Sequence, residues 1–175
     1  MEIITAQKAV SFIPDNCNLG VGGFNAFGVP EALLKELEDS YERNGFPRDL
    51  TVIAGVAPGD LQECGGGLSH LKKEGCVKAV IASHVGMPPA IGRAIAENKI
   101  SGVLFPLGIY TNLLRARAAK RPGIISRVGL HTYADPLLDG CCVNELAKTE
   151  SYKPVERLEI DGEDILYYRT FPVDM

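Results

Sequence analysis

Short apolar runs alternate with helical stretches over most of the chain. Four runs have the continuous hydrophobicity of buried strands, namely NLGVGG (18–23), LTVIAGV (50–56), CVKAVIAS (76–83) and SGVLFPLG (101–108). The pattern predicts helices between and after these runs, at residues 6–12, 30–41, 91–98 and 109–120. Thr5 is placed to cap the first helix, and Pro30 and Pro88 are placed to open the second and third.

Strands that alternate with helices pair in parallel through right-handed crossovers. The pattern therefore predicts an α/β fold, with an open, mostly parallel sheet and helices on both faces, as in a Rossmann-like three-layer sandwich. After Gly123 the helical periodicity fades, and residues 131–145 have an irregular pattern. VERLEIDGEDILYY (155–168) predicts a β-hairpin near the C-terminus, because Asp161 and Gly162 suit a type I′ turn.

Composition favours one globular domain. The chain has 175 residues, 46% of them hydrophobic, and no apolar run approaches the roughly 20 residues of a membrane span. The N-terminus lacks the features of a secretory signal and the five cysteines include no CxxC pair, so we expect reduced thiols and a cytoplasmic location. Three histidines at irregular spacing indicate no metal site.

The charge distribution argues against nucleic acid as a partner. The formal net charge is -4 and most basic residues are scattered, whereas binding to a phosphate backbone usually requires a basic surplus or stripe. One local group is an exception, formed by Arg115, Arg117, Lys120 and Arg121. It is either a solvated helix face or a contact for a few phosphates, such as those of a nucleotide-bearing coenzyme.

Glycine-rich segments follow the predicted strands, and they read GGFNAFG (22–28), CGGG (64–67), SHVGMPP (83–89) and FPLG (105–108). In open α/β sheets ligands bind beyond the carboxyl ends of the strands, so these segments are expected to line one site. Specific motifs are missing. A GxGxxG motif that begins at Gly20 would have its third glycine at position 25, where this chain has Asn25, and the GxSxG and P-loop motifs are absent. Tight turns and close helix packing remain an alternative explanation of these glycines.

The order of several segments resembles the N-terminal half of the 3-oxoacid CoA-transferase family (family I), and among its members the single-chain acetate or propionate type. The resemblance runs from about Ile3 to Asp174 and rests on ITAQKAV, VGGFNAFGVPEALL, GLSHL, IASHVGMPP, FPLG, LLRARAAKRPG and VGLHTYADP. It implies that residues 1–175 are the alpha-type domain of an enzyme whose C-terminal catalytic half is absent from this chain. The strand-like FPVDM at the end of the sequence fits that expectation.

The family resemblance also implies an activity. Such enzymes move CoA from a short-chain acyl-CoA (acetyl-, propionyl-, acetoacetyl- or succinyl-CoA) to a carboxylate through a glutamyl-CoA thioester. The resemblance places that glutamate in the C-terminal, beta-type half, so this chain is expected to have no catalytic residue and to be inactive alone. No cofactor is expected because coenzyme A is a substrate, and the expected partners are the beta-type half and further copies of the enzyme in a homo-oligomer.

The substrate and CoA-binding residues implied by the resemblance are Gly22, Gly23, Phe24, Asn25, Gly28, Ser83, His84, Gly86, Pro106 and Gly108. His84 has an alternative role as a loop histidine bonded to backbone. Two departures from the family pattern, Leu107 and His131, leave the acyl specificity open. Glu31 and Glu63 are interpreted as a first-turn helix acid and a loop residue.

Two other functions remain open at this point. One is a non-catalytic module of the same fold that binds acyl-CoA or a sugar phosphate. The other is a sugar-phosphate isomerase, for which Asp60 and Glu63 are the available acid and base pair. Fold alone does not separate these functions from a transferase.

Overall fold

A four-stranded parallel sheet forms the centre of the molecule. The computed structural model describes residues 2–62 and 65–175. The sheet has the order β1 (Asn18–Gly20), β2 (Leu50–Ile53), β3 (Val77–Ala82) and β4 (Ser101–Leu104). In its register Val52 lies beside Val80, and Val80 lies beside Gly102. The expected open, parallel arrangement is therefore confirmed.

Helices follow the strands in the predicted order, except that the last one, Glu145–Thr149, was not predicted from the sequence. They are α1 (Ala6–Val10), α2 (Glu31–Asn44), a 3₁₀ helix (Gly67–Leu71), α3 (Pro89–Ala96), α4 (Leu107–Ala118) and α5 (Glu145–Thr149). Thr5 caps α1 as predicted, because its hydroxyl oxygen accepts from the Lys8 N–H at 3.2 Å. Pro30 precedes α2 as its N-cap rather than lying in its first turn. None of the described helices is long and apolar enough to cross a bilayer.

The side chains of the sheet alternate between two hydrophobic cores. Val52 and Val80 point to the face covered by α1, α2, the 3₁₀ helix and α3. Ile53, Ile81 and Val103 point to the other face, where they pack with side chains of α4 and α5. This period of two is the expected geometry of a strand, and it explains why helices cover both faces.

A second, antiparallel sheet completes the core on the α4 side. Its order is β5 (Gly123–Ser126), β7 (Glu163–Arg169) and β6 (Val155–Ile160). The predicted hairpin is confirmed, with φ of 54° at Asp161 and 77° at Gly162 in its turn. The β7 side chains Leu166 and Tyr168 are fully buried against the parallel sheet. Strand β5 was not predicted from the sequence.

Residues 127–144 form an irregular segment, which the sequence placed at 131–145, and buried polar groups order it. Asp135 is 1% exposed, and its carboxylate accepts from the N–H groups of His131 at 2.9 Å and Leu137 at 3.1 Å. Arg157 of β6 donates to the same carboxylate at 3.0 Å. The segment is thus fixed to the antiparallel sheet by a buried ion pair.

The edge of β1 is also paired. The Asp174 N–H donates to the Asn18 carbonyl at 2.9 Å, and the Gly20 N–H donates to the Met175 carbonyl at 2.8 Å. Residues 174–175 therefore extend the parallel sheet by two backbone hydrogen bonds beside β1.

Candidate functional site

Loops from the four parallel strands meet at the carboxyl edge of the sheet. The Gly59 N–H donates to the Asn25 carbonyl at 3.1 Å, which joins the loop after β2 to the loop after β1. The Leu61 N–H donates to the Met87 carbonyl at 2.9 Å, and the Ser83 hydroxyl donates to the Gly55 carbonyl. The structure therefore brings the predicted glycine segments together at one edge, as the strand-end argument required.

The ten predicted binding residues divide among three of these loops. Gly22, Gly23, Phe24, Asn25 and Gly28 lie on the loop after β1, called here the glycine loop (residues 21–30); Ser83, His84 and Gly86 follow β3; Pro106 and Gly108 lie at the start of α4. Hydrogen bonds through the β2 loop connect the first two groups. The third group reaches this edge because α4 begins where β4 ends. Their role in binding remains a prediction.

The glycine loop presents bare backbone. A Cβ atom added to Gly22 or Gly28 would meet no atom within 4 Å, so both positions face open space. Within the described residues the N–H groups of Gly22 and Gly23 have no acceptor. Phe24 and Phe27 exchange two backbone hydrogen bonds of 2.9 Å, and the two residues are 54% and 78% exposed. The loop therefore offers free donors beside two exposed aromatic rings.

The amino ends of three helices point to the same edge. α2, α3 and α4 have Pro30, Pro88 and Pro106 as their N-cap residues, and no side chain caps any of the three. A proline side chain has no acceptor for the first-turn N–H groups. Backbone carbonyls accept from the N–H groups of Glu31, Leu33 and Ile91, and the other first-turn N–H groups are left to water or a ligand. The partial positive charge of helix amino ends favours negative charge at this edge.

A cavity of about 400 Å³ lies beside the glycine loop, and it is lined by Ala26, Gly28, Val29, Glu31, Gly59, Asp60, Gly66 and Gly67. The Gly66 N–H donates to Asp60 at 3.1 Å and lowers the pKa of that carboxyl. Burial acts to raise the pKa of Glu31, but hydrogen bonds from the Gly67 N–H and from His70 outweigh it and lower that pKa. Both carboxyls are therefore ionised at neutral pH, which gives the cavity wall negative charge.

Sequence reasoning missed the polar cluster behind this wall. His70 lies between two carboxylates of α2, with its Nε2 2.7 Å from Glu31 and its Nδ1 2.7 Å from Glu38. Glu31 was interpreted as an ordinary first-turn acid, and it does lie there, but its carboxylate also lines the cavity. No periodic pattern connects residues 31 and 70, so the sequence held no signal for this contact.

The loop after β3 has a compact turn around His84. The Gly86 N–H points to His84 Nδ1 at 3.3 Å, and a Cβ atom on Gly86 would lie 2.7 Å from the imidazole ring. Gly86 is thus required for the close approach of this ring, and the backbone contact expected of an ordinary loop histidine is present. Because the His84 side chain is exposed, a binding role remains a prediction.

Two other sequence hypotheses have different outcomes. Arg115 and Arg117 lie in the last turn of α4, whereas the glycine loop lies at the edge where α4 begins. These two arginines are therefore about 12–15 Å along the helix from the site, and their charges suit the helix carboxyl end. Glu63, the predicted partner of Asp60 in an isomerase, lies outside the described residues, as does Cys64. Among the described side chains no group of three or more could hold a metal ion.

The comparison with known families decides the assignment. A sequence model described as Coenzyme A transferase matches residues 3–174. This chain belongs to the coenzyme A transferase family. Caffeate CoA-transferase of Acetobacterium woodii, a relative of this CoA-transferase family member, is 37% identical to it over 174 residues, which is 99% of this chain and 32% of the relative.

Two further comparisons define how much of a CoA-transferase is present. The alpha subunit of acetate CoA-transferase from Escherichia coli (strain K12) is 32% identical over 134 residues, 77% of this chain and 57% of that subunit. The crystal structure of acyl-CoA transferase YdiF from Escherichia coli O157:H7, a thioester complex with CoA, superposes with a TM-score of 0.91 at 35% identity. It covers 98% of this chain and 33% of YdiF. The chain thus spans about a third of the longer relatives.

Proposed function

We propose that this chain is the N-terminal, alpha-type part of a short-chain acyl-CoA:carboxylate CoA-transferase. The observation that carries the proposal is the glycine loop, whose Gly22 and Gly23 N–H groups have no acceptor among the described residues and lie at the edge where three helices begin without side-chain caps. Attack on an acyl-CoA carbonyl creates negative charge on the carbonyl oxygen, and backbone N–H groups stabilise such charge. The family membership of residues 3–174 supports the same reaction.

The nucleophilic glutamate is supplied by a second half or subunit in this proposal. Glu31 and Asp60 are poor candidates, because each accepts a backbone hydrogen bond and has a lowered pKa, which stabilises the carboxylate and weakens it as a nucleophile. The relative from E. coli (strain K12) is named as the alpha subunit of its enzyme, which fits a chain that works with a partner. Coenzyme A enters as a substrate, and the reaction requires no cofactor.

The charge of the cavity indicates which part of acyl-CoA it accommodates. Its described lining residues include the carboxylates of Glu31 and Asp60 and contain no lysine or arginine. Such a wall repels phosphate and attracts neutral donors, such as the amide N–H and hydroxyl groups of the pantetheine arm. The negative wall also disfavours a sugar-phosphate ligand in this cavity, so the acceptor carboxylate is expected on the open side of the glycine loop near Gly22.

A transfer assay tests the proposal. With acetyl-CoA and propionate, the 175-residue chain alone should form no propionyl-CoA, and addition of a beta-type half should restore turnover. Borohydride reduction of the trapped glutamyl thioester should modify no residue in 1–175. Turnover by the chain alone would contradict the division of roles. If the chain binds CoA but gives no turnover with any beta-type half, it is a non-catalytic acyl-CoA-binding module.

A further inference from the structure

We propose that His70 is a positioning residue that holds the cavity wall in place, as an imidazolium clamped between Glu31 and Glu38. The proposal concerns the same site and rests on the proposed function only in treating the cavity as part of it. His70 lies on the 3₁₀ helix, whereas both carboxylates belong to α2, seven positions apart and so on one face of that helix. The clamp therefore fixes the 3₁₀ helix to α2 at two points.

The distances from the two His70 ring nitrogens to carboxylate oxygens require a proton on each nitrogen. A neutral imidazole has one N–H donor and one bare nitrogen, and a bare nitrogen 2.7 Å from a carboxylate oxygen would bring two lone pairs into contact. Both nitrogens of His70 lie at that distance from a carboxylate oxygen. Each contact is a hydrogen bond only when a proton lies between nitrogen and oxygen, so the ring is doubly protonated in this arrangement.

The surrounding charges favour the imidazolium. On α2, Lys35 donates to Glu38 at 3.0 Å and to Asp39 at 2.9 Å, so this single lysine is shared by two carboxylates. Asp60 faces the cluster from the loop after β2. The acids thus outnumber the bases before His70 is counted. The side chains of His70 and Glu38 are only 14% and 17% exposed, so water screens their charge-assisted bond incompletely.

The clamp acts on the cavity through Glu31. One oxygen of this carboxylate bonds to His70, and the other accepts from the Gly67 N–H at 2.9 Å. The packing is close, because a Cβ atom on Gly66 would lie 2.7 Å from Glu31. Without the His70 ring, Glu31 loses one of two hydrogen bonds and its side chain can turn into the cavity. His70 therefore controls the shape of the wall without touching the ligand.

Nitrogen NMR of the histidine rings tests the protonation state directly in the 175-residue chain. With ¹⁵N-labelled histidine, His70→Gln identifies the ring signals of His70 among the three histidines. We expect both nitrogens of His70 to have the chemical shifts of N–H groups at neutral pH. Shifts that show one protonated and one bare nitrogen would overturn the proposal.

Hydrogen exchange at Gly67 tests the positioning. Glu38→Ala leaves Glu31, Gly67 and His70 in place but removes one of the two carboxylates of the clamp, so we expect exchange of the Gly67 N–H to accelerate about tenfold. Glu36→Ala is the matched control, because Glu36 lies on the same helix, is 20% exposed and pairs with Arg43 instead. Equal exchange rates of the Gly67 N–H in the two variants would overturn the proposal. Neither measurement involves acyl-CoA, so their failure is distinct from a failure of the transferase proposal.

Discussion

Gly22 and Gly67 both lie at the carboxyl edge of the parallel sheet, in opposite surroundings. A Cβ atom at Gly22 would meet nothing within 4 Å, whereas one at Gly67 would lie 2.3 Å from the Pro58 carbonyl oxygen. Gly67 also has a φ of 66°, a conformation that L-residues with side chains rarely adopt. The fold requires a glycine at Gly67, while only a bound ligand would require one at Gly22.

Alanine substitutions should separate these two roles. We expect Gly22→Ala to change the free energy of unfolding by less than about 0.5 kcal/mol, and Gly67→Ala to lower it by at least about 2 kcal/mol. In the assembled transferase, Gly22→Ala should still reduce kcat/KM about tenfold or more, because the methyl group occupies the approach to the backbone N–H. Urea denaturation and the propionyl-CoA assay measure the two effects. Full activity in Gly22→Ala would show that the glycine loop is not part of the site.

The residues of the candidate site were predictable where the signal is local. The glycine loop, the Ser83 turn and Gly108 could be placed at the strand ends because glycine and proline mark such ends within a few residues, and their role in binding stays a prediction. The cluster of Glu31, Glu38 and His70 was not found, because its contacts join segments that meet only after the sheet has formed. A charged side chain in a helix has the same local pattern whether it faces water or a cavity.

At the scale of elements, Asn144 connects three of them. Its amide oxygen accepts from the Gly102 N–H of β4 at 3.2 Å and from the Ala147 N–H of α5 at 3.1 Å. Its amide nitrogen donates to the carbonyls of Ile95, in α3, at 2.9 Å and of Ile100 at 2.7 Å. All four bonds are buried, so the side chain satisfies backbone groups that no water can reach.

Asn144→Ala should lower the free energy of unfolding by about 3 kcal/mol or more, because each buried backbone group left without a partner costs about 1–3 kcal/mol. Asn112→Ala is the control, since Asn112 donates only to the Gly108 carbonyl at the surface of α4. That variant should stay within about 0.5 kcal/mol of the parent. Chemical denaturation of both variants measures the difference. Similar stabilities would show that water replaces the Asn144 amide.

The elements themselves were largely predictable, and the exceptions have a physical cause. The parallel strands, the helices and the hairpin have either a continuous apolar run, a helical period or a turn signal. β5 has only the four residues GIIS and pairs with β7 about forty residues later, from Ile124 beside Tyr168 to Ser126 beside Leu166. This strand forms because it pairs with the distant β7, and its four residues alone have no pattern that predicts a strand.

For the molecule as a whole, acid stability depends on carboxylates that lie on both sides of the parallel sheet. The pKa values of Glu31, Glu38, Asp60 and Asp135 are all below their usual values. For Asp135, burial acts to raise the pKa, but the N–H groups of His131 and Leu137 and the Arg157 guanidinium outweigh it. A lowered folded-state pKa contributes stability above the unfolded pKa of about 4, and that contribution is lost as pH falls through the folded value.

We therefore expect the free energy of unfolding to change little with these groups between pH 7 and about pH 5, and to fall steeply below about pH 4. Asp135→Asn should weaken this acid dependence, because it removes the most buried of these carboxylates, and it should lower stability at neutral pH by leaving Arg157 short of a partner. Asp139→Asn is the control, since Asp139 pairs with Lys148 at 46% exposure. Urea denaturation from pH 7 to pH 3 follows all three proteins. If Asp135→Asn keeps the full acid dependence while the neutral-pH stability falls, the buried ion pair fixes the irregular segment but does not determine the acid limit of the fold.

The two hydrophobic cores should unfold together. Ile53 and Ile81 lie on the opposite face of the same strands as Val52 and Val80, so both cores share one sheet. Both cores should therefore be lost in one transition.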